Sequence, residues 1–333
     1  MAHPSTGTRS GWTSTSSRPE RIHRRNPRPY RPRVLRDSGI SPAKALGQHF
    51  LTDQGIVNRI VAAAELTTED TVIEVGPGLG VLTERLVEVA GRVIAVELDA
   101  RLAERLVETL AARRANLKII QEDILSVSPD ELLVRASGAT SPPGPLSFEG
   151  EREDERSPSS VGPVRSKPYV VVANLPYNIG AAVLRHFLEA AQPPRRLVVM
   201  LQREVADSIC AMPGDLSLLG VSVQVYAEPR RLFAVPARAF YPPPKVTSSV
   251  IRLDVREEPL VPLGERDAFF AIVRAGFSAP RKQLANSLAQ GLRRPIVAVR
   301  DAIAAANVDP SLRPQSLQIE DWRRLTTILQ ERA

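Results

Sequence analysis

The chain has 333 residues, of which 43% are hydrophobic, so it can bury one large core and a smaller one, and two domains are expected. One cysteine excludes an intrachain disulfide framework, four scattered histidines predict no metal site, and the lack of a long apolar run predicts a cytoplasmic protein without a membrane span. The formal net charge of +7 lies within residues 1–40, which hold nine arginines against Glu20 and Asp37, so the rest of the chain is neutral overall.

Residues 1–36 are rich in Ser, Thr, Pro and Arg and poor in apolar residues, so they cannot bury enough surface to fold alone. We therefore predict that residues 1–40 form a disordered basic arm. Such an arm could contact RNA phosphates or be a solvated extension. Its composition is also typical of an organellar transit peptide, although Pro27, Pro29 and Pro32 would break the amphipathic helix that such a peptide forms.

From residue 56 onward, short apolar runs alternate with amphipathic ones. The predicted helices cover residues 56–64, 82–89 and 101–112, and the predicted strands cover residues 71–75, 92–97, 117–121, 169–173 and 197–201. The last two strands are apolar throughout, which is typical of strands buried on both faces. This alternation predicts an α/β fold, in which a parallel sheet carries helices on both faces.

Two further regions bound the predicted domains. Residues 137–167 contain five prolines and an acidic run, and we interpret them as a disordered insertion. After a strand-like run at residues 246–254, the pattern becomes helical, with predicted helices at residues 265–275, 281–290, 300–306 and 319–330. We therefore expect an α/β domain over residues 41–256 and a small helical domain over residues 257–333.

A glycine-rich turn, EVGPGLG at residues 74–80, follows the first predicted strand. Glycines let the backbone take positive φ and approach a ligand closely, and the helix that follows offers free N–H groups. The spacing of Gly76, Gly78 and Gly80 is G-x-G-x-G rather than the G-x-G-x-x-G typical of nicotinamide and flavin sites. This spacing favours S-adenosylmethionine as the cofactor, and a tight structural turn without a ligand is the alternative.

Acidic residues follow the next two strands. Glu97 lies 21 residues after Gly76, where a carboxylate can accept both hydroxyls of a ribose. Asp123 follows the next strand, where it can accept the amino group of an adenine. Each acid alone could be a solvated loop residue, but open α/β sheets bind ligands at the carboxyl ends of their strands, so together they predict a cofactor site.

The fourth predicted strand leads into Asn174, Leu175, Pro176 and Tyr177. The exocyclic amine of a base is a poor nucleophile because its lone pair is delocalised into the ring. Hydrogen bonds from that amine to the Asn174 side-chain oxygen and to the carbonyl of Leu175 or Pro176 would localise the lone pair in a rigid turn. Tyr177 could stack on a base taken out of its helix. The turn therefore predicts methyl transfer to an amine on a planar base, and a strand-terminating turn with a packed tyrosine is the alternative.

These motifs resemble those of the ribosomal RNA adenine-N6,N6-dimethyltransferase family, specifically its bacterial small-subunit type. The matching segments are LGQHFL at 46–51, EVGPGLG at 74–80, Glu97, Asp123, NLPYNI at 174–179, LQREVA at 201–206, FYPPPKVTS at 240–248 and RKQL at 281–284. The resemblance implies a Rossmann-like methyltransferase domain and a helical C-terminal domain that helps to bind rRNA. It also implies a monomer that dimethylates two adjacent adenines near the 3′ end of the small-subunit rRNA, in an immature 30S particle.

By motif match, the resemblance implies a role for each candidate site residue. The implied cofactor contacts are His49, Leu51, Gly76, Gly78, Glu97, Asp123 and Asn174. The implied catalytic residues are Asn174, Leu175, Pro176, Tyr177 and Phe240, and the implied RNA contacts are Lys245, Arg281 and Lys282. Phe240 is either a core residue or a second aromatic face that brackets the adenine opposite Tyr177.

Two other functions stay open from the sequence. The enzymes that methylate large-subunit rRNA and confer macrolide-type resistance share the cofactor motifs, although the NLPYNI and FYPPPKVTS segments favour the small-subunit type. A non-catalytic nucleic-acid-binding relative would keep the same fold. The intact Gly76, Glu97, Asp123 and Asn174 favour an enzyme over such a binding protein.

Overall fold

A computed structural model describes residues 49–137 and 169–331 of the chain. The predicted arm at residues 1–40 and residues 138–167 of the predicted insertion lie outside the described residues. Within those residues, the chain forms a seven-stranded sheet, a separate two-stranded sheet, and helices that cover the large sheet and continue to the C-terminal end. None of the described helices is long and apolar enough to cross a membrane.

Strands and helices are numbered separately in chain order. They are β1 (Phe50–Leu51), α1 (Gln54–Ala64), β2 (Thr71–Val75), α2 (Val81–Val89), β3 (Arg92–Glu97), α3 (Ala100–Thr109), β4 (Leu117–Gln121), α4 (Pro129–Ser137), β5 (Val170–Asn174), α5 (Gly180–Leu188), β6 (Arg196–Gln202), α6 (Arg203–Ile209), α7 (Leu218–Gln224), β7 (Ala227–Val235), β8 (Phe240–Tyr241), β9 (Ser248–Val255), α8 (Arg266–Gly276), α9 (Leu284–Leu292), α10 (Ile296–Ala305) and α11 (Ile319–Glu331). The α/β fold predicted from the alternating pattern is thus confirmed.

The large sheet has the strand order β4-β3-β2-β5-β6-β9-β7. The strands from β4 to β6 in this order are parallel, whereas β9 runs antiparallel to both β6 and β7. The chain builds outward from β2 to β4 and then returns to place β5 on the other side of β2. Open α/β sheets bind their ligands outside the carboxyl ends of the strands at such a reversal of order.

Apolar residues fill both faces of the sheet. One face packs on α1 and α2, where Val57 and Leu86 are fully buried. The other face packs on α4 to α7 and continues without a break into the C-terminal helices, whose largest buried side chains are Phe269 and Trp322. The C-terminal helices therefore share a core with the sheet instead of closing one of their own, and a domain boundary at residue 257 stays a prediction.

The five predicted strands agree with β2 to β6 to within one residue at each end, but several other features differ from prediction. The helix predicted at 300–306 spans Ile296–Ala305, and the helix predicted at 101–112 ends at Thr109. The sequence pattern does not predict β7, because this strand lies at the sheet edge and carries Pro229 and exposed charged residues instead of an apolar alternation. The strand-like run at 246–254 begins at Ser248. The helix predicted at 281–290 begins only at Leu284, because Gln283 is extended (φ −62°, ψ 151°).

Candidate active site

A cleft opens at the carboxyl ends of β2 and β5, where the strand order reverses. Its empty volume is about 760 Å³ with the open mouth included. Nine predicted site residues line it, namely His49, Leu51, Gly76, Gly78, Glu97, Asn174, Leu175, Pro176 and Tyr177. Segments far apart in the sequence therefore meet in one place.

The glycine turn after β2 forms the floor of the cleft. Gly76 has a φ of 65°, and a Cβ atom built on it would meet no atom within 4 Å, so the backbone there is open to a ligand. Gly80 has a φ of 80° and precedes the first residue of α2, and a Cβ atom on it would lie 2.6 Å from the Leu106 side chain. The lack of a side chain at Gly76 thus leaves the backbone accessible to a ligand. The lack of one at Gly80 lets α3, which carries Leu106, pack closely against the turn.

Glu97 ends β3 with its side chain held by two backbone donors. The amide of Gly78 donates to Oε2 and the amide of Asp99 donates to Oε1, each at 3.0 Å. Burial raises the pKa of Glu97, and the two amide hydrogen bonds act in the opposite direction. Because a carboxylate oxygen has two lone pairs, each oxygen can still accept a second hydrogen bond, and the carboxylate is preorganised to do so.

The segment that contains β1 closes one side of the cleft. In the two-stranded sheet, Leu51 pairs with Phe240. His49 Nδ1 donates to the carbonyl oxygen of Pro242 at 2.7 Å, and since a carbonyl only accepts, the proton lies on Nδ1. Residues 49–51 are thereby fastened to the segment between β7 and β9.

Asn174 lies directly beside the glycine turn. Val75 of β2 pairs with Ala173 of β5, so the next residues along the two strands, Gly76 and Asn174, emerge side by side. The Asn174 Nδ2 donates to the carbonyl oxygen of His49 at 3.2 Å. This contact fixes the amide orientation, because only the NH₂ group can face a carbonyl, and it leaves Oδ1 to accept from a ligand.

The next two residues form a rigid turn. The Leu175 amide donates to Met200 O at 3.2 Å, and the Pro176 carbonyl accepts from the Ile179 amide at 3.2 Å. No described residue donates to the Leu175 carbonyl. Of the two backbone acceptors proposed for the target amine, the Leu175 carbonyl is therefore the one without a partner within residues 49–137 and 169–331.

Two contacts hold Tyr177 in place, one through its hydroxyl and one through its ring. Its hydroxyl makes a 2.7 Å hydrogen bond with the Ser248 hydroxyl of β9, and its ring centre lies 5.7 Å from that of His49. Burial raises the pKa of Tyr177, with the Ser248 hydrogen bond acting against it, so the phenol stays neutral at physiological pH. The ring is therefore fixed in the wall of the cleft.

Five predicted site residues lie outside the cleft wall. Phe240 is 4% exposed and packs in the core, which favours the packing role, and its role as a second aromatic face stays a prediction. Asp123 follows β4 beyond Glu97, and its Oδ1 accepts from the Leu125 amide at 3.0 Å. Lys245 is exposed between β8 and β9, and Arg281 and Lys282 are exposed in the turn before α9.

One functional candidate is absent from the sequence predictions. Glu74 lines the cleft next to the glycine turn, is 1% exposed, and its Oε2 has no hydrogen-bond partner. Burial raises the pKa of Glu74 to about 8, the Glu97 carboxylate adds to this shift, and the Thr83 hydroxyl acts against it. An acid between the apolar residues Ile73 and Val75 of a buried strand is the sequence signal that could have identified it. Among the described residues, no cluster of acidic, cysteine or histidine side chains could hold a metal ion.

A glycine turn, an acid at the next strand end and an Asn-Leu-Pro-Tyr turn that converge on one reversal point characterise the Rossmann-like methyltransferases that use S-adenosylmethionine, and the protein is of this class. The open Gly76 backbone, the fixed Glu97 carboxylate and the unpartnered Glu74 oxygen fit such a cationic nucleoside cofactor. Within the class, the chain belongs to the ribosomal RNA adenine dimethylase family, which it matches over residues 41–331.

Two relatives support this assignment over most of the chain. A ribosomal RNA small subunit methyltransferase A from Dehalococcoides mccartyi is 42% identical over 286 residues, which cover 86% of this chain and 88% of the relative. The protein of the same name from Moorella thermoacetica is 38% identical over 300 residues, which cover 89% and 96% of the two chains.

Solved structures agree with the fold. The 23S rRNA methyltransferase ErmE is 28% identical, with a TM-score of 0.59 over 84% of this chain and 99% of its own. A dimethyladenosine transferase from Plasmodium falciparum is 21% identical, with a TM-score of 0.64 over 85% and 98% of the two chains, and it bears on the fold alone.

Proposed function

We propose that the protein transfers methyl groups from S-adenosylmethionine to N6 of two adjacent adenines near the 3′ end of the small-subunit rRNA. The observation that carries this proposal is the emergence of Gly76 and Asn174 side by side, because it brings the cofactor turn and the acceptor for an amine into one cleft. The 42% identity to small-subunit enzymes, against 28% to a large-subunit enzyme, supports the small-subunit rRNA as the substrate.

Two acceptors act on the target amine. In the first transfer, Asn174 Oδ1 and the Leu175 carbonyl oxygen accept hydrogen bonds from its two N–H groups, which draws the lone pair of N6 out of the ring and directs it along one line. Once the methyl group has bonded to N6, N6 releases one proton to solvent. The acceptors are already rigid, because Asn174 is held by His49 and Leu175 by Met200, so little reorganisation is needed in the transition state. The cofactor, when bound, supplies a methyl group on a positively charged sulfur.

Tyr177 holds the target base by stacking. Enzymes that act on a base take it out of its helix and stack it on an aromatic side chain. The Tyr177 hydroxyl is tied to Ser248, so the ring presents a fixed face. The catalytic group that we propose is therefore Asn174, Leu175, Pro176 and Tyr177, with Phe240 supporting β1 from the core through its pairing with Leu51.

The cofactor is bound by the rest of the cleft. Glu97 accepts the ribose hydroxyls with its free lone pairs, and Gly76 and Gly78 allow the backbone to approach the methionine part. His49, Leu51 and Asn174 complete the wall of the cleft. Asp123, at the rim of the cleft beyond Glu97, accepts a hydrogen bond from the amino group of the cofactor's adenine.

The rRNA extends beyond the cleft onto exposed basic residues. Lys245 lies three residues from Ser248 and so borders the target site, and Arg281 and Lys282 present a second cationic point on the helical region 257–333. We propose that the substrate is an immature 30S particle in the cytoplasm, and that one copy of the chain acts alone.

Methylation of two purified substrates tests this function. Immature 30S particles and protein-free large-subunit rRNA are each incubated with the full chain and radiolabelled S-adenosylmethionine, and the modified bases are mapped by primer extension. Dimethyladenine at two adjacent positions in the 30S particle is expected. Activity on the large-subunit rRNA alone would reject the small-subunit assignment, and no activity on either would favour a binding protein.

A further inference from the structure

Tyr241 carries an exposed aromatic ring beside the cleft. It lies on β8 directly opposite Phe50 of β1, and it is 39% exposed. In an antiparallel pair, side chains that lie directly opposite each other are on the same face of the sheet. Phe50 lines the cleft and packs against Gly78, so the Tyr241 ring is on the face of the two-stranded sheet that borders the cleft.

The neighbouring pair of this ladder has the opposite environment. Leu51 and Phe240 are on the other face of the two-stranded sheet, where both are buried in the core. The Tyr241 hydroxyl forms no hydrogen bond with a described residue. Core packing thus accounts for Phe240 but leaves the ring of Tyr241 open to a ligand.

The backbone places this ring on the same rim of the cleft as Tyr177. Pro242, the next residue, accepts a hydrogen bond from His49 Nδ1 through its carbonyl oxygen at 2.7 Å, and the His49 ring centre lies 5.7 Å from that of Tyr177. A nucleotide next to the target base is one step along the RNA backbone from Tyr177. The Tyr241 ring is therefore placed to meet the neighbour of a base that occupies the proposed target site.

Two exposed cations flank Tyr241 in the chain. Arg238 lies in the turn before β8 and Lys245 lies in the loop after it. Neither forms an ion pair within residues 49–137 and 169–331. Single-stranded RNA binds to such combinations, because a base stacks on an aromatic ring while cations bind the phosphates beside it. The exposed ring and its flanking cations therefore fit one unstacked nucleotide.

We infer that Tyr241, with Arg238 and Lys245, forms a second nucleotide site, which binds the base next to the target adenine by stacking. The inference rests on the proposed function, in which the two methylated adenines are adjacent. While one adenine occupies the cleft beside Tyr177, the other is held on the Tyr241 ring. Because every base has a π-face, such stacking does not depend on the methylation state of N6.

Methylation of altered 30S particles tests the second site. The rRNA is completed at its 3′ end by ligation of a synthetic oligonucleotide, so that each of the two adenines can in turn be replaced by an abasic nucleotide. The kcat/KM for the remaining adenine is then measured with the full chain. On intact particles, Y241A should lower kcat/KM about tenfold, mainly through KM, as expected for loss of one stacked base. Y241F keeps the ring and should retain most of the activity.

The abasic particles separate stacking from a general loss. With the wild type, an abasic neighbour at one of the two positions should lower kcat/KM by a similar factor, and Y241A should cause no further loss on that particle. L263A removes a large exposed apolar side chain outside the cleft and should behave as the wild type on every particle. Losses that multiply at both positions, or a loss in Y241F as large as in Y241A, would overturn the inference.

Cofactor binding without RNA gives a second readout. Tyr241 is not one of the residues that line the cleft, so Y241A should leave the Kd for S-adenosylmethionine unchanged. A Kd that rises by the same factor as KM would show that Tyr241 only supports residues 49–51, and it would overturn the inference while the proposed function stands. Failure of the wild type to methylate either adenine of the intact particle would overturn the proposed function and the inference together.

Discussion

The side-chain amide of Asn174 donates to the main-chain carbonyl of His49 at 3.2 Å, a contact between the end of β5 and the residue before β1. It joins residues 49–51, which close one side of the cleft, to the turn that we propose holds the target amine. The amide can face this carbonyl only through its NH₂ group, so the free atom is the acceptor Oδ1. The chemistry of the turn thus depends on a partner 125 residues away in the chain.

Replacement of Asn174 by alanine should therefore separate turnover from cofactor binding. We expect Asn174→Ala to lower kcat by roughly 10²-fold or more, the usual effect of losing one preorganised transition-state partner, with a small change in the Kd for S-adenosylmethionine. Single-turnover methylation of 30S particles and calorimetry measure the two quantities. Asn178→Ala, an exposed neighbour, is the matched control. Equal losses in kcat and cofactor affinity would mean that Asn174 serves mainly the cofactor.

Substitutions at Tyr177 can separate the role of its ring from the role of its hydroxyl. Tyr177→Phe keeps the stacking face but leaves the fully buried Ser248 hydroxyl without this partner, so the free energy of unfolding should fall by about 1–2 kcal/mol while methylation persists. Tyr177→Ala should in addition abolish most of kcat/KM. Urea denaturation and methylation rates give the comparison, with Asn178→Ala, the exposed neighbour, as the control. A loss of activity in Tyr177→Phe as large as in Tyr177→Ala would contradict a stacking role.

The exposed cations before α9 should contribute to rRNA binding through counterion release. We expect Arg281→Ala and Lys282→Ala each to weaken rRNA binding and to reduce the slope of log K against log salt by about 1. Filter binding between low and physiological salt measures that slope. Lys118→Ala removes an exposed lysine from β4 and should leave the slope unchanged. The same reduction in Lys118→Ala would show that net charge alone is responsible.

Glu74 should give the cofactor-free protein a distinctive pH dependence of stability. Its pKa is about 8 in the folded state and 4.5 as an ordinary glutamate, so between these values the folded protein holds a proton that the unfolded chain has lost. The free energy of unfolding should therefore fall as pH rises through this window, by at most about 1.4 kcal/mol per pH unit from this group.

Comparison with Glu74→Gln isolates the contribution, because the raised pKa of Glu97 is present in both proteins. Urea denaturation from pH 5 to 8 should give a flatter profile for the variant. Parallel profiles for the two proteins would contradict ionisation of Glu74 in this range.

The predictable part of the fold is the part in which burial alone determines the sequence. The strands β2 to β6 are buried on both faces, so their apolar runs predict them to within one residue. The edge strand β7 has charged residues and Pro229 because it pairs on one side only, and α6 and α7 have seven residues each, too few to establish a helical period.

The candidate site likewise has a part that the sequence predicts and a part that it does not. Residues in local motifs, such as Gly76 and Asn174, are identifiable because the motif itself carries the chemistry. The burial of Phe240 and the unpartnered state of Glu74 depend on which segments pack over them, and those contacts come from distant parts of the chain. Local sequence therefore predicts which residues converge, but not how much space surrounds each one.

The emergence of Gly76 and Asn174 from neighbouring strands has a consequence for the length of the chain between them. Adjacent strands lie about 4.8 Å apart, and their ladder of backbone hydrogen bonds holds Gly76 and Asn174, which we propose border the methyl donor and the target amine, at a fixed spacing. The connection from β4 to β5 does not contribute to that spacing. Under the proposed function, insertions or deletions in this connection can therefore accumulate among relatives without changing the distance over which a methyl group has to move.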